Sequence, residues 1–251
     1  MSRNGVVRWS WQREEIDYAE KFNLPHDVSK KSPYSIDKNI WGVSIEAGVL
    51  EDLEVEPPED AYQITKGPST KGGFPQYVEI YFQKGVPKKI NGKAYALFDL
   101  IQELNNIGSA FGIGRSDMVE NRLVGIKSRE IYEAPGATIL HAAHKELETL
   151  VLDRITQHFK EGISLKYSEL VYDGLWYSPL KEALDQFVES TQKKVTGSVK
   201  LKLFKGSLAP VSRKSVHSLY KKELATYGDE DEFDQKLAKG FIEIWGMPYQ
   251  K

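Results

Sequence analysis

Between Phe111 and Pro135 the chain reads F-G-I-G-R-S-D-M-V-E-N-R-L-V-G-I-K-S-R-E-I-Y-E-A-P, and its chemically able side chains concentrate here. Arg115, Asp117, Glu120, Asn121, Arg122, Lys127, Ser128, Arg129, Glu130, Tyr132 and Glu133 are interleaved with Met118, Val119, Leu123, Val124, Ile126 and Ile131. The apolar members ask for burial, so charges beside them must pair, hydrogen-bond or meet a ligand. Two arrangements meet that demand. One is a strand pair with a salt-bridged outer face. The other is a pocket for a small zwitterion, in which a carboxylate holds the ammonium group and hydroxyl or amide donors hold the carboxylate.

Other candidates are weaker. Ser35 and Ser44 could supply hydroxyl donors, although serines in loops commonly cap or face solvent. His141, His144 and Glu148 could share one helix face, either as metal ligands or as surface groups of a helix, and their spacing is not a zinc signature. The acidic run from Asp229 to Asp234 lacks the spacing and glycine of a calcium loop and reads as a solvated turn. There is no G-x-x-x-x-G-K-[ST] and no Ser-Gly-Gly-x-Asp phosphate loop, and Gly112-Ile113-Gly114 alone is weak, so these residues are not expected to hold a nucleoside triphosphate by themselves.

The elements that must position these groups follow from patterning. Val6 to Trp11 alternates as a strand that would put Trp9 and Trp11 on one side. Residues 13–22 suit a short helix ended by Asn23 and Pro25. A loop is expected from residue 30, then a strand from Ile40 to Ile45. Residues 55–75, rich in Pro, Gly, Glu and Lys, read as a surface excursion. Tyr77 to Gln83 alternates as a strand with Val78, Ile80 and Phe82 inward, and Asn91-Gly92 signals a hairpin turn. Leu97, Leu100, Ile101, Leu104 and Ile107 predict a helix stopped by Gly108, and a longer one is expected from Ala137 to Phe159. Ser178-Pro179 opens a further helix with Leu180, Ala183, Leu184, Phe187 and Val188 inward. Strands are expected at Val199–Phe204 and near Leu208–Val211, with Lys205-Gly206 between them, then a helix over 218–227 and a short strand from Gly240 to Trp245. The class these elements give is α+β, a mainly antiparallel sheet with packed helices.

Composition narrows the function. The 251 residues suffice for a sizeable core. Lys and Arg number 34 against 36 Asp and Glu, so no basic footprint for nucleic acid exists. Cysteine is absent, which removes disulfides, thiol catalysis and zinc–thiolate sites and fits a reducing, cytoplasmic home. No apolar run could span a bilayer, so no membrane partner is expected.

Four stretches together resemble the C-terminal portion of the argininosuccinate synthase family: S-P-Y-S-I-D-K-N-I-W-G-V-S-I-E-A-G-V-L-E-D, V-E-N-R-L-V-G-I-K-S-R-E-I-Y-E-A-P, L-V-Y-D-G-L-W-Y-S-P-L and V-T-G-S-V-K-L-K-L-F-K-G. The resemblance runs from about Arg13 almost to the end. It implies an ATP-dependent ligase of arginine biosynthesis: the ureido oxygen of citrulline attacks the α-phosphate, pyrophosphate leaves, and the aspartate amine displaces AMP to give argininosuccinate. It further implies that ATP, with Mg, is held mainly by an N-terminal domain not found in these residues, so that 1–28 is a remnant of the junction and 29–251 the C-terminal domain. The family's citrulline contacts map onto Ser35, Ser44, Glu120 and Tyr132, with Glu120 the natural partner of the α-ammonium group and no residue here acting as acid, base or nucleophile. Implied partners are L-citrulline, a nucleotide-binding chain if one is separate, and further copies in a homotetramer. The alternative is a truncated, non-catalytic relative serving as an amino-acid-binding or regulatory subunit. The chain departs from the family pattern at Phe111 (usually His), Ser116 (Ile), Glu130 (Gly), Val216 (Pro) and Leu237 (Asp). Glu130 should place a further carboxylate on the side of Tyr132, at a backbone cost if the family glycine has a positive φ.

Overall fold

The computed structural model describes residues 12–24, 34–67 and 73–250, and the expected strand carrying Trp9 and Trp11 lies outside them. After helix α1 (Gln12–Lys21), strands β1 (Ser35–Asn39) and β2 (Gly42–Glu46) form a hairpin. A larger unit follows with β3 (Gln76–Gln83), β4 (Val86–Ile90), β5 (Lys93–Ala94) and helix α2 (Leu97–Ala110). Strands β6 (Arg115–Asn121) and β7 (Lys127–Glu133) then lead into helices α3 (Pro135–Val151), α4 (Arg154–Tyr172) and α5 (Pro179–Gln192). Strands β8 (Gly197–Phe204) and β9 (Ser207–Lys214) and helices α6 (Lys222–Ala225) and α7 (Lys236–Gly246) complete the described chain. The strands form two antiparallel sheets, ordered β1-β2-β7-β6 and β5-β4-β3-β8-β9, so the fold is α+β as expected.

The larger sheet supplies the main core. Val78, Ile80 and Phe82 of β3 and Val199, Leu201 and Leu203 of β8 are buried against Leu100, Ile101 and Leu104 of α2 and Ile139, Ala143 and Leu147 of α3. Period-two apolar residues facing period-3.6 stripes generate this two-layer core. Gly108 lies inside α2 rather than ending it. A Cβ there would sit 2.8 Å from the Pro135 ring, so its lack of a side chain lets α2 and α3 approach.

The four-stranded sheet has a second core of Val43, Ile45 and Ile131 packed on Tyr34, Leu50 and Ala61. Asn105 of α2 joins the two units: its side-chain amide donates to the Ile40 carbonyl and accepts from the Gly136 amide, at 2.9 and 2.8 Å. The polar sheet is therefore bolted to the helical layer.

Several expectations change. A strand, β1, occupies 35–39 where a loop was expected, and Ile40-Trp41 forms the turn rather than the start of a strand. The Asn39 side chain accepts from the Trp41 amide at 2.8 Å, which closes the turn locally. The helix expected over 137–159 is two helices. Asp153 caps the second by accepting from the Ile155 and Thr156 amides, and Ile155 and Phe159 are exposed instead of continuing the buried stripe. In α5 Ser178 caps as expected, accepting from Lys181, but no α5 residue is buried. The helix over 218–227 shrinks to Lys222–Ala225. Residues 240–245 belong to helix α7, where Phe241 and Trp245 stack one turn apart at 5.7 Å. The excursion after Val55 is partly locked rather than wholly superficial, since Ala61 and Thr65 are buried.

Candidate functional site

The register of the four-stranded sheet decides which side chains meet. Ser44 pairs with Asp37 on β1 and with Tyr132 on β7, and Tyr132 pairs with Ser116 on β6. Directly opposed residues of an antiparallel pair share a face, and residues two apart along a strand share it too. Ser35, Ser44, Glu120 and Tyr132 therefore all lie on one face, together with Glu46, Ser128 and Glu130. The opposite face carries Val43, Ile45 and Ile131 into the second core.

Within the polar face Glu120 and Tyr132 touch: the phenol donates to Glu120 Oε1 and lies 2.9 Å from Glu130 Oε2. Burial and the two carboxylates beside it push the Tyr132 hydroxyl well above its usual pKa, so it stays a protonated donor. Tyr172, the last residue of α4, donates to Glu120 Oε2 at 3.0 Å. Arg122 reaches over from the end of the hairpin, bonding Ser128 Oγ at 2.8 Å, Glu130 Oε1 at 2.7 Å and Glu46 Oε2. Burial, and then the Glu130 charge, raise the Glu46 carboxyl above its ordinary value against the opposing pull of Arg122. Ser35 lies on the outer strand β1, three strand spacings from Glu120, or about 14 Å across the sheet. The structure thus brings Glu120 and Tyr132 into direct contact and places Ser44 beside Tyr132. Ser35 lies at the far edge of the same surface.

The strand-pair reading of the central segment holds, with ion pairs on both faces of the β6–β7 hairpin. Away from the polar face, Arg129 forms a bidentate pair with Asp117, and Arg115 pairs with Glu59 while stacking on the Tyr62 ring at 3.7 Å. Glu133, fully buried, accepts from the amides of Gln63, Ile64 and Thr65 and from the Thr65 hydroxyl. Alternation along β7 thus sends Tyr132 to the polar face and Glu133 into the loop that braces it from behind.

Glu130 projects beside Tyr132 as its strand position implied. Its backbone is ordinary strand, not among the positive-φ positions, so the conditional backbone cost does not arise. Phe111 is a core residue. Val216 and Leu237 are exposed. Sequence alone names Arg122 only among the charged residues of the segment, and it does not single out Glu46 or Tyr172. Glu46 had a legible signal, its two-residue offset from Ser44. Arg122 and Tyr172 had none as binding groups, because one sits past a strand end and the other is 52 residues from its partner.

His141, His144 and Glu148 lie in a different place. A cleft of about 480 Å³ between α3, α4 and α5 is lined by His141, His144, Glu148 and Lys160, among others, and by no residue of the polar sheet. There Lys160 pairs with Glu148 at 3.0 Å, and Gln192 bridges His144 and Glu148 at 2.9 and 2.7 Å. Burial lowers the His144 pKa, outweighing Glu148. Among the described residues no group of three or more His, Cys, Asp or Glu side chains is arranged to hold a metal ion, and no helix is long and apolar enough to cross a membrane.

The family described as arginosuccinate synthase C-terminal domain matches residues 34–251. Argininosuccinate synthase of Chlorobium luteolum is 56% identical over 236 residues, covering 94% of this chain and 59% of the relative. That of Symbiobacterium thermophilum is 55% identical over 244 residues, covering 97% and 61%. That of Nostoc punctiforme is 54% identical over 241 residues, covering 96% and 60%. The chain spans about three-fifths of the length of the curated relatives it matches.

Proposed function

Because the chain belongs to the argininosuccinate synthase family, we propose that it supplies the citrulline-binding and oligomer-building half of an ATP-dependent citrulline–aspartate ligase. One observation carries this reading: Ser35, Ser44, Glu120 and Tyr132, spread over 98 positions of sequence, share one polar face in which Glu120 is held by phenols. Glu120 receives the α-ammonium group, the Tyr132 hydroxyl orients it, and the serine hydroxyls bond polar atoms further along the substrate. Among the described residues the face carries Asp37, Glu46, Glu120 and Glu130 beside the cation Arg122, a balance that favours an ammonium group and disfavours phosphate. ATP, with Mg, would accordingly be held by a nucleotide-binding domain, with residues 1–28 a remnant of the junction to it and 29–251 the C-terminal domain. The contribution of this half to rate is positional: it fixes the ureido oxygen for in-line attack while charge stabilisation comes from the nucleotide side. A ligase of this kind would work in the cytoplasm as a homotetramer.

The test mixes the chain with the nucleotide-binding half of a relative, citrulline, aspartate and MgATP, and measures AMP. Release that needs both proteins and is lost with Glu120→Gln is the expected result. Citrulline binding without AMP release from an assembled mixture would instead identify an amino-acid-binding or regulatory subunit.

A further inference from the structure

Glu120 sits on β6, an edge strand, and its partly exposed side chain has to be aimed by something other than close packing. Tyr132 alone is an incomplete restraint. Its hydroxyl has one hydrogen and two carboxylate neighbours, Glu120 and Glu130; Arg122 also holds Glu130, so donation to Glu130 would release Glu120 from Tyr132. Tyr172 has no such conflict: Glu120 Oε2 is the acceptor recorded for its hydroxyl, at 3.0 Å.

The position of Tyr172 is set by a closed helix end rather than by a free loop. Past it the Asp173 amide bonds the Glu169 carbonyl and the Leu175 amide bonds the Leu170 carbonyl, each at 2.9 Å, with Gly174 at φ +71. Leu170, two residues before, is the one buried side chain of α4. The phenol therefore projects from a fixed point onto the edge of the sheet, where it meets a carboxylate oxygen and leaves the remaining lone pairs of Glu120 for a ligand.

We propose that Tyr172 is a positioning residue for amino-acid binding, orienting the Glu120 carboxylate toward the α-ammonium group from the end of α4. The inference rests on the citrulline reading of the polar face. It also makes the end of α4 part of the binding site through the Tyr172–Glu120 bond. The direction of the Tyr172 pKa, raised first of all by its bond to Glu120, agrees with a phenol held as donor.

Isothermal titration of the full chain with L-citrulline and with 5-ureidopentanoate, which lacks the α-amino group, tests it in parent, Glu120→Gln and Tyr172→Phe proteins. Tyr172→Phe keeps the ring and removes one charge-assisted bond, so citrulline affinity should fall about tenfold while 5-ureidopentanoate affinity changes by less than about twofold. A purely structural role would weaken both ligands alike and lower the melting temperature. Equal losses for the two ligands, or citrulline affinity unchanged in Tyr172→Phe while Glu120→Gln weakens it, overturn the role assigned to Tyr172 and leave the citrulline reading standing. Failure of the parent chain to bind citrulline overturns both.

Discussion

Replacing Glu133 by glutamine removes one charge and almost no volume, yet it strikes the contact that braces the site strand from behind. Glu133 Oε1 accepts from the Thr65 amide at 2.7 Å, the Thr65 hydroxyl at 2.6 Å and the Ile64 amide at 3.1 Å, and Oε2 accepts from the Gln63 amide at 2.6 Å. A carboxamide offers one acceptor atom. If it faces Thr65, its NH2 points at the Gln63 amide, donor against donor, which costs about 1–3 kcal/mol, and the surviving bonds lose their charge assistance at about 0.5 kcal/mol or more each. The sum is on the order of 3 kcal/mol, which for a chain of this size lowers the melting temperature by about 6–12 °C. Thermal unfolding followed by circular dichroism measures the shift, and limited proteolysis should show new cleavage near Gln63. A shift below about 2 °C with unchanged proteolysis would refute the assignment of Glu133 as the anchor of the 59–67 loop.

Other perturbations read different parts of the account. Burial, then Glu130, holds the Glu46 carboxyl above its ordinary 4.5, so the folded chain takes up this proton more readily than the unfolded one. The charged form thus costs stability above the raised value, and the cost disappears as pH falls toward 4.5. Glu46→Gln should therefore gain about 1–3 °C relative to the parent at pH 8 compared with pH 4.5, in paired melting curves. Gly114 has φ +85 and its Cβ would lie 2.6 Å from the Ala134 backbone, so Gly114→Ala should cost at least about 2 kcal/mol in urea unfolding. Ser178→Ala removes the cap of α5 and should cost about 1 kcal/mol by the same measurement.

What could be read from sequence followed physical locality. The alternation of Val78, Ile80 and Phe82, the Asn91-Gly92 turn and the Ser178-Pro179 cap each encode an element within a few residues, and each is present. The break at Asp153 was hidden because Ile155 and Phe159 continue the apolar spacing of α3, and only the capping bonds show that a new helix starts there. Residues 240–245 of helix α7 read as a strand because Gly240 and Gly246 bracket a short apolar run, which periodicity alone cannot assign. Ser35–Asn39 looked like a loop because an edge strand with a polar face needs no apolar alternation. For the site, Glu120 and Tyr132 were reached through family resemblance, and register explains their proximity: they lie on neighbouring strands of one hairpin. Tyr172 and Arg122 depend on where a helix end and a strand end come to rest, which local patterning does not encode.

A crystal structure of the chain soaked with L-citrulline tests the central claim most directly. The account predicts the amino acid lying on the open face of the four-stranded sheet, its ammonium nitrogen within hydrogen-bond distance of Glu120 and its other polar atoms near Tyr132, Ser44 and Ser35. Citrulline bound instead in the cleft between α3, α4 and α5, or lying on the sheet with its ammonium group turned away from Glu120, would contradict it.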